Sequence, residues 1–164
     1  MIVVADAGPL IHLSLVGKID LLPLLYDRIL IPDLVYEEVV QKGEGLAGSV
    51  EVRGGDWVDV VPHDSGAHLF RSLRAELDKG EAAAIWLAVD RRAERILSDD
   101  RQARLAAERL GFKVRGSLGV LVEAKRRGVL PVVAPLVHEL KTKGVWLSED
   151  LIERVLHELG ETGG

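Results

Sequence analysis

The chain contains no cysteine. Disulfide bridges, a thiolate zinc site and a cysteine nucleophile are therefore excluded. Aromatic residues make up only 4% of the 164 positions, too few for the stacking platform with which RNA-binding sheets hold bases. No apolar run approaches the roughly 20 residues of a membrane span. Met1 leads straight into a short apolar run, without the basic and long hydrophobic regions of a signal peptide. The expectation is a cytoplasmic protein with no membrane association. His12, His63, His68, His138 and His157 are scattered without metal-ligand spacing and read as surface or half-buried imidazoles. Trp57, Trp86 and Trp146 read as core, and no internal repeat or low-complexity segment is visible.

What is present is ordinary for a folded globular chain: 48% hydrophobic and 29% charged residues. The length suits one domain with a substantial core, taken as residues 1–160, followed by a disordered glycine-rich tail at 161–164. The net charge of −5 argues against a polyanionic partner. Its distribution is uneven, however. Between Arg91 and Arg127 lie 11 of the 21 Lys and Arg residues against five acids, Glu94, Asp99, Asp100, Glu108 and Glu123. Such a basic half serves an anionic ligand or simply a solvated helix face.

Apolar runs at 2–5, 28–31, 57–61, 95–98 and 112–115 read as strands, that at 57–61 as an edge strand. Helical patterns fall at about 9–16, 21–26, 33–41, 65–77, 81–92, 100–110, 117–127, 131–142 and 149–159. Pro32 precedes the third of these, Asp64-Ser65 caps the fourth, and Ser148 caps the last. Residues 43–55 hold five glycines and read as a loose connection with one short helical turn. In the last two helices, Val132, Val133, Leu136, Val137 and Leu140, then Leu151, Ile152, Val155, Leu156 and Leu159, form apolar faces that need a partner. Strands alternating with helices predict an α/β domain: a mostly parallel sheet of about four to five strands, covered on both faces.

Two strands stop at acids. Ile2-Val3-Val4-Ala5 ends at Asp6, and Ile96-Leu97-Ser98 ends at Asp99-Asp100. Ligands of open parallel sheets bind at the carboxyl ends of strands, so these carboxylates are expected at one edge. Glu38 falls at the border of the apolar side of its helix, and Glu81 turns toward the buried face of its own. Each acid also has a structural reading. Asp6 caps a helix, Asp78 and Glu81 form a capping box, and Asp99 and Asp100 serve as a cap and a first-turn acid. As a set they are harder to explain structurally, because crowded carboxylates repel unless a cation neutralises them. Mg²⁺, which takes oxygen ligands, suits such a set.

Several stretches together resemble a PIN domain, and most closely a VapC-like subfamily. They are the Asp6 start, Pro-x-x-Val-x-Glu-Glu-Val at 32–39, Gly80-Glu81-Ala82-x-Ala84-Ile85 and Leu97-Ser98-Asp99-Asp100-Arg101. Gly116-Ser117-Leu118-Gly119-Val120-Leu121 and Ala124-Lys125-Arg126-Arg127-Gly128 extend the resemblance over nearly the whole chain. It implies an Mg²⁺- or Mn²⁺-dependent ribonuclease acting on RNA phosphodiester bonds. It also implies the toxin of a toxin–antitoxin pair, with an antitoxin partner and a homodimeric state. The family's four acidic positions fall on Asp6, Glu38, Glu81 and the Asp99/Asp100 pair, with Asp6, Glu81 and one or both of Asp99 and Asp100 as metal ligands. Ser98 matches a hydroxyl that supports the site from behind, and Arg101 and Arg104 are candidates for phosphate contact. One departure stands out: the family commonly has Ser or Thr two residues after the first Asp, where this chain has Gly8. Gly8 supports the alternative of a non-catalytic PIN-like module binding RNA or protein. A phosphoryl-transfer aspartate enzyme fits less well, because those phosphatases need a second Asp where Gly8 stands.

Overall fold

The chain order of the strands is broken once, and that break positions everything else. The computed structural model describes residues 1–162. Its strands are β1 (Val3–Ala5), β2 (Ile29–Pro32), β3 (Val58–Val61), β4 (Arg95–Leu97) and β5 (Lys113–Arg115). They pair in the order β3-β2-β1-β4-β5, every pair parallel. The chain moves outward from β1 through β2 to the edge strand β3, then returns to the other side of β1. The switch therefore lies between β1 and β4, where the carboxyl ends of neighbouring strands diverge into a crevice.

Both faces of this sheet are covered, because alternate residues point to opposite sides. Val3, Ala5, Ile29, Ile31 and Leu97 enter one core, and Val4, Ile96 and Val61 the other. The helices follow in order: α1 (Ala7–Leu15), α2 (Leu21–Tyr26), α3 (Asp33–Tyr36), α4 (Ser49–Arg53) and α5 (His68–Leu73). After them come α6 (Lys79–Asp90), α7 (Arg101–Arg109), α8 (Ser117–Arg126), α9 (Ala134–Thr142) and α10 (Glu149–Glu158). Helices α1, α2, α8, α9 and α10 pack on the first core, and α5, α6 and α7 on the second. No helix among the described residues is long and apolar enough to cross a membrane.

Two elements differ from their expected form. The helix expected over 33–41 is α-helical only to Tyr36 and continues as a π-helix over Glu37–Gln41, with Lys42 N donating to Glu37 O at 2.8 Å. Wider turns rotate the side chains away from the α-helical register; Glu38 is exposed as a residue, with its carboxylate turned against the buried Gly80. Gly43 ends this stretch, where a Cβ would stand 2.4 Å from Val39 O. The helix expected over 65–77 is confined to His68–Leu73, because Asp64 turns back on Gly66 N at 3.0 Å and caps no helix.

Much of the basic half is consumed inside the fold. Glu123, 13% exposed, faces Arg95 at 2.9 Å, Arg115 at 3.0 Å and Arg127 at 3.4 Å, and accepts from Tyr26 Oη at 2.9 Å. Burial and the adjacent Glu123 push the Tyr26 hydroxyl up to about 12. This carboxylate joins α2, β4, β5 and α8. Near the C-terminus, Val133, Val137, Leu140 and Ile152 are buried, with Leu136, Leu151, Val155, Leu156 and Leu159 packed beside them. Helix α9 lacks its own side-chain cap. Glu161, in the stretch expected as tail, supplies one: it accepts from Val133 N and Ala134 N at 2.9 Å and from Lys125 Nζ at 2.6 Å. Burial works to raise the Glu161 carboxyl, but Lys125 and these amides hold it below the usual range. Of the expected tail, residues 163 and 164 lie outside the described residues.

Replacing Glu123 by Ala leaves Arg95 facing Arg115 with no counter-charge, and is expected to cost about 2–4 kcal/mol of stability by urea denaturation. Glu161→Ala removes the borrowed cap and is expected to cost about 1–2 kcal/mol. Its amide exchange should quicken over α9 while α6 stays unchanged.

Candidate active site

The register brings the first acids together. Ala5 pairs with Leu97, and Asp6 N donates to Leu97 O at 2.9 Å, so Asp6 and Ser98 leave the sheet side by side at the switch. A cleft of about 260 Å³ opens there, lined by Asp6, Ala7, Gly8, His12, Glu38, Asp78, Glu81, Asp99 and Asp100. All five acids singled out in the sequence line it, and Asp78 makes a sixth carboxylate. Ser98 lies behind the cleft, and Arg101 and Arg104 stand on the first turn of α7 outside the lining.

Asp6 is buried and caps α1, its Oδ1 accepting from Ala7 N at 2.8 Å. Ser98, also buried, donates from Oγ to Asp6 Oδ2 at 3.4 Å and accepts from Asp100 N at 3.3 Å. Asp100 in turn caps α7 through Ala103 N at 2.8 Å. Glu81 completes the capping box of α6, accepting from Asp78 N at 3.2 Å while its own N–H reaches Asp78 Oδ1 at 2.8 Å. Glu38 reaches in from the π-helix with its carboxylate against Gly80. Capping and cleft-lining thus coexist in the same side chains. A carboxylate has about four acceptor positions, and one backbone N–H leaves the others free.

The electrostatics of this crowd are unfavourable. Burial, followed by the charges of Glu81, Asp78 and Glu38, raises the Asp6 carboxyl to about 7, even against the Ala7 hydrogen bond. Burial, with Asp78 and Asp100 adding, raises Glu81 to about 7. Glu38 is raised by burial and by Asp78. Asp99 is the exception. Burial works to raise it, but hydrogen bonds from His12 and Ser117 outweigh that and hold it below the ordinary range.

Reading the residues one by one missed Asp78, His12 and Ser117. Asp78 had its cap role as sufficient explanation, and Ser117 is read only within the Gly116–Leu121 stretch that opens a helix and carries part of the family resemblance. His12 lies four residues after Gly8, one turn along α1, and that spacing is the clue which could have placed it over the cleft.

The site is thus an acidic cleft at the switch point of a wholly parallel α/β sheet. A family model described as a PIN domain matches residues 2–161, and the chain belongs to the PIN-domain family. PIN domains are generally nucleases that use divalent metals. No match to a curated protein accompanies it.

The residues present fit a hard dication. All the carboxylate donors are oxygen, and no Lys or Arg lines the cleft to neutralise them. Among the described residues no group of three or more His, Asp or Glu side chains is placed to hold a metal ion. Mg²⁺ needs no such group, since one or two carboxylates and waters suffice.

The raised acids make stability pH-dependent in a defined sense. Folded Asp6 and Glu81, near 7, hold protons that the unfolded chain, with values near 3.8 and 4.5, has already released. Stability from these groups therefore falls as pH rises from about 4 through about 7. The lowered carboxyls of Asp99 and Glu161 act in the opposite sense, below that window. In EDTA the protein is expected to melt lower at pH 8 than at pH 5.5. Asp6→Asn keeps the cap and is expected to raise stability at pH 8 by about 1–3 kcal/mol, flattening the pH dependence. Mg²⁺ should raise the melting temperature more at pH 8 than at pH 5.5.

Proposed function

We propose that this protein is a metal-dependent ribonuclease that hydrolyses RNA phosphodiester bonds in the cleft between β1 and β4. The observation that carries the reading is the concentration of six carboxylates, two of them raised to about 7, at the switch point of a PIN-domain sheet. Asp6 and Asp100 would hold Mg²⁺ or Mn²⁺, with Glu81 and Glu38 completing the shell directly or through water. Bound there, the ion would supply the positive charge that stabilises a phosphoryl group under attack. Ser98 steadies the Asp6 and Asp100 ends from beneath by one hydroxyl bonded to both. Arg101 and Arg104, which pair with no acid among the described residues, favour approach of the RNA backbone to an otherwise anionic rim.

The non-catalytic alternative drew its support from Gly8. A Cβ at that position would stand 3.2 Å from Asp99 Cβ, a tight contact that gives glycine a packing role apart from catalysis. The VapC-like motifs extend the proposal to a toxin acting in the cytoplasm as a homodimer and restrained by an antitoxin. Co-purification with a small protein encoded in the adjacent reading frame tests that extension.

The catalytic reading is tested on a panel of single-stranded RNAs with Mg²⁺, Mn²⁺ or EDTA. Wild type is expected to cleave only with metal, and Asp6→Asn to lose about 100-fold or more in rate while melting no lower than wild type. Metal-dependent cleavage by the variant at the wild-type rate would remove Asp6 from the site. Absence of cleavage by wild type across the panel would overturn the nuclease reading itself.

A further inference from the structure

One carboxylate of the cleft is already engaged on both oxygens by the protein. Ser117 donates to Asp99 twice, from its backbone N to Oδ1 and from Oγ to Oδ2, both at 2.6 Å. His12 Nδ1 lies 2.7 Å from Asp99 Oδ2. Three donors thus converge on a carboxylate whose own strand end is fixed at the switch. The charge also sits at the N-terminus of α8, whose cap residue Gly116 offers no side chain, so the helix dipole adds to its hold.

The backbone on either side is shaped to admit this group. A Cβ on Gly116 would stand 2.6 Å from Asp99 Oδ1, and a Cβ on Gly8 3.4 Å from Oδ2. Two glycines from different elements leave room for the same carboxylate. Asp6 accepts from Ala7 N and, at longer range, from Ser98 Oγ, and Glu81 and Asp100 each accept from one backbone N–H, whereas Asp99 has three close donors.

We propose that Asp99 is not a metal ligand but a positioning residue, the centre of a Ser117–Asp99–His12 chain that holds His12 as a substrate-facing group. The inference rests on the nuclease reading for the identity of the substrate. An ionised Asp99 can only accept, so Nδ1 carries the proton that bonds it. In the neutral ring, Nε2 is then an acceptor. The half-exposed imidazole lines the cleft, and among the described residues Nε2 has no protein partner. Its complement is a hydroxyl donor at the scissile phosphate, either the attacking water or the neighbouring ribose 2′-hydroxyl.

The test separates this role from metal binding and from simple packing. In wild type, ¹⁵N spectra of the His12 imidazole are expected to show one tautomer, protonated at Nδ1, and Asp99→Asn and Ser117→Ala are expected to mix the tautomers. Mn²⁺ affinity, measured by calorimetry, should stay within about threefold of wild type in Asp99→Asn and His12→Asn but be largely lost in Asp6→Asn. His12→Asn retains a donor for Asp99 but nothing at Nε2. It should fold and melt like wild type and lose about 100-fold in RNA cleavage. A substrate with 2′-deoxyribose at the cut identifies the donor. Its defect adds to that of His12→Asn if the donor is water, and is absorbed by it if the donor is the 2′-hydroxyl. Asp99→Asn losing Mn²⁺ as Asp6→Asn does, or His12→Asn cleaving at the wild-type rate, would overturn the inference. If wild type cleaves no RNA, the nuclease reading falls alone, and the tautomer and Mn²⁺ measurements still decide the role of Asp99.

Discussion

The parallel pairing of β1 with β4 is the constraint from which the functional geometry follows. Once Ala5 is opposite Leu97, the next residues of both strands must emerge together, and both are followed by helices whose first N–H groups need acceptors. Acids satisfy that need at Asp6 and Asp100, while Asp78 does the same for α6 on the adjoining wall. Three helix caps converging on one crevice place several negative charges where each would be stable alone. Together they raise one another, which is why the apo site carries its own destabilisation and why a dication suits it. The same side chains that end the strands and start the helices are the ones available for chemistry.

The positive charge of the chain is distributed to match. Seen as sequence, Arg91 to Arg127 looks like a basic surface. In the fold, Arg95, Arg115 and Arg127 surround Glu123, and Lys125 binds Glu161. Those pairs organise the packing of α8 against β4, β5 and the C-terminal helices. Arg101 and Arg104 are left beside the acidic cleft with no acidic partner among the described residues. A net charge of −5 is therefore a poor guide to the local field, which depends on the cations the fold has not already neutralised.

How far the sequence could be read follows from the range of the interactions involved. The strand ends, the Asp78–Glu81 capping box and the Ser148 cap depend on neighbours within a few residues, and so does their sequence signal. The parallel sheet was legible because apolar runs alternated with helical periodicity. The π-helical turn at Glu37–Gln41 was not, since its sequence supports an ordinary α-helix; the turn runs up to Gly43, where a Cβ would press on Val39 O. Partners far apart in the chain were equally invisible: His12 meets Asp99 across 87 positions, and Glu161 reaches Val133 across 28. The acids could be proposed as a set from their chemistry, but nothing local separated Asp99 from Asp100.

Those adjacent aspartates show how one step along the chain changes a residue's surroundings. Asp100 leaves the strand into α7, is exposed, and satisfies a single N–H of its own helix. Asp99, one residue earlier, points across the switch to α1 and α8 and is engaged by both. Their electrostatics diverge accordingly: three donors depress Asp99 despite its burial, while Asp100 contributes to raising Glu81. Gly8 belongs to the same geometry. Ser or Thr in its place would bring a Cβ against the Asp99 side chain, on the turn of α1 that also presents His12. Glycine at position 8 therefore leaves the Asp99 carboxylate room to meet His12 from α1 and Ser117 from α8.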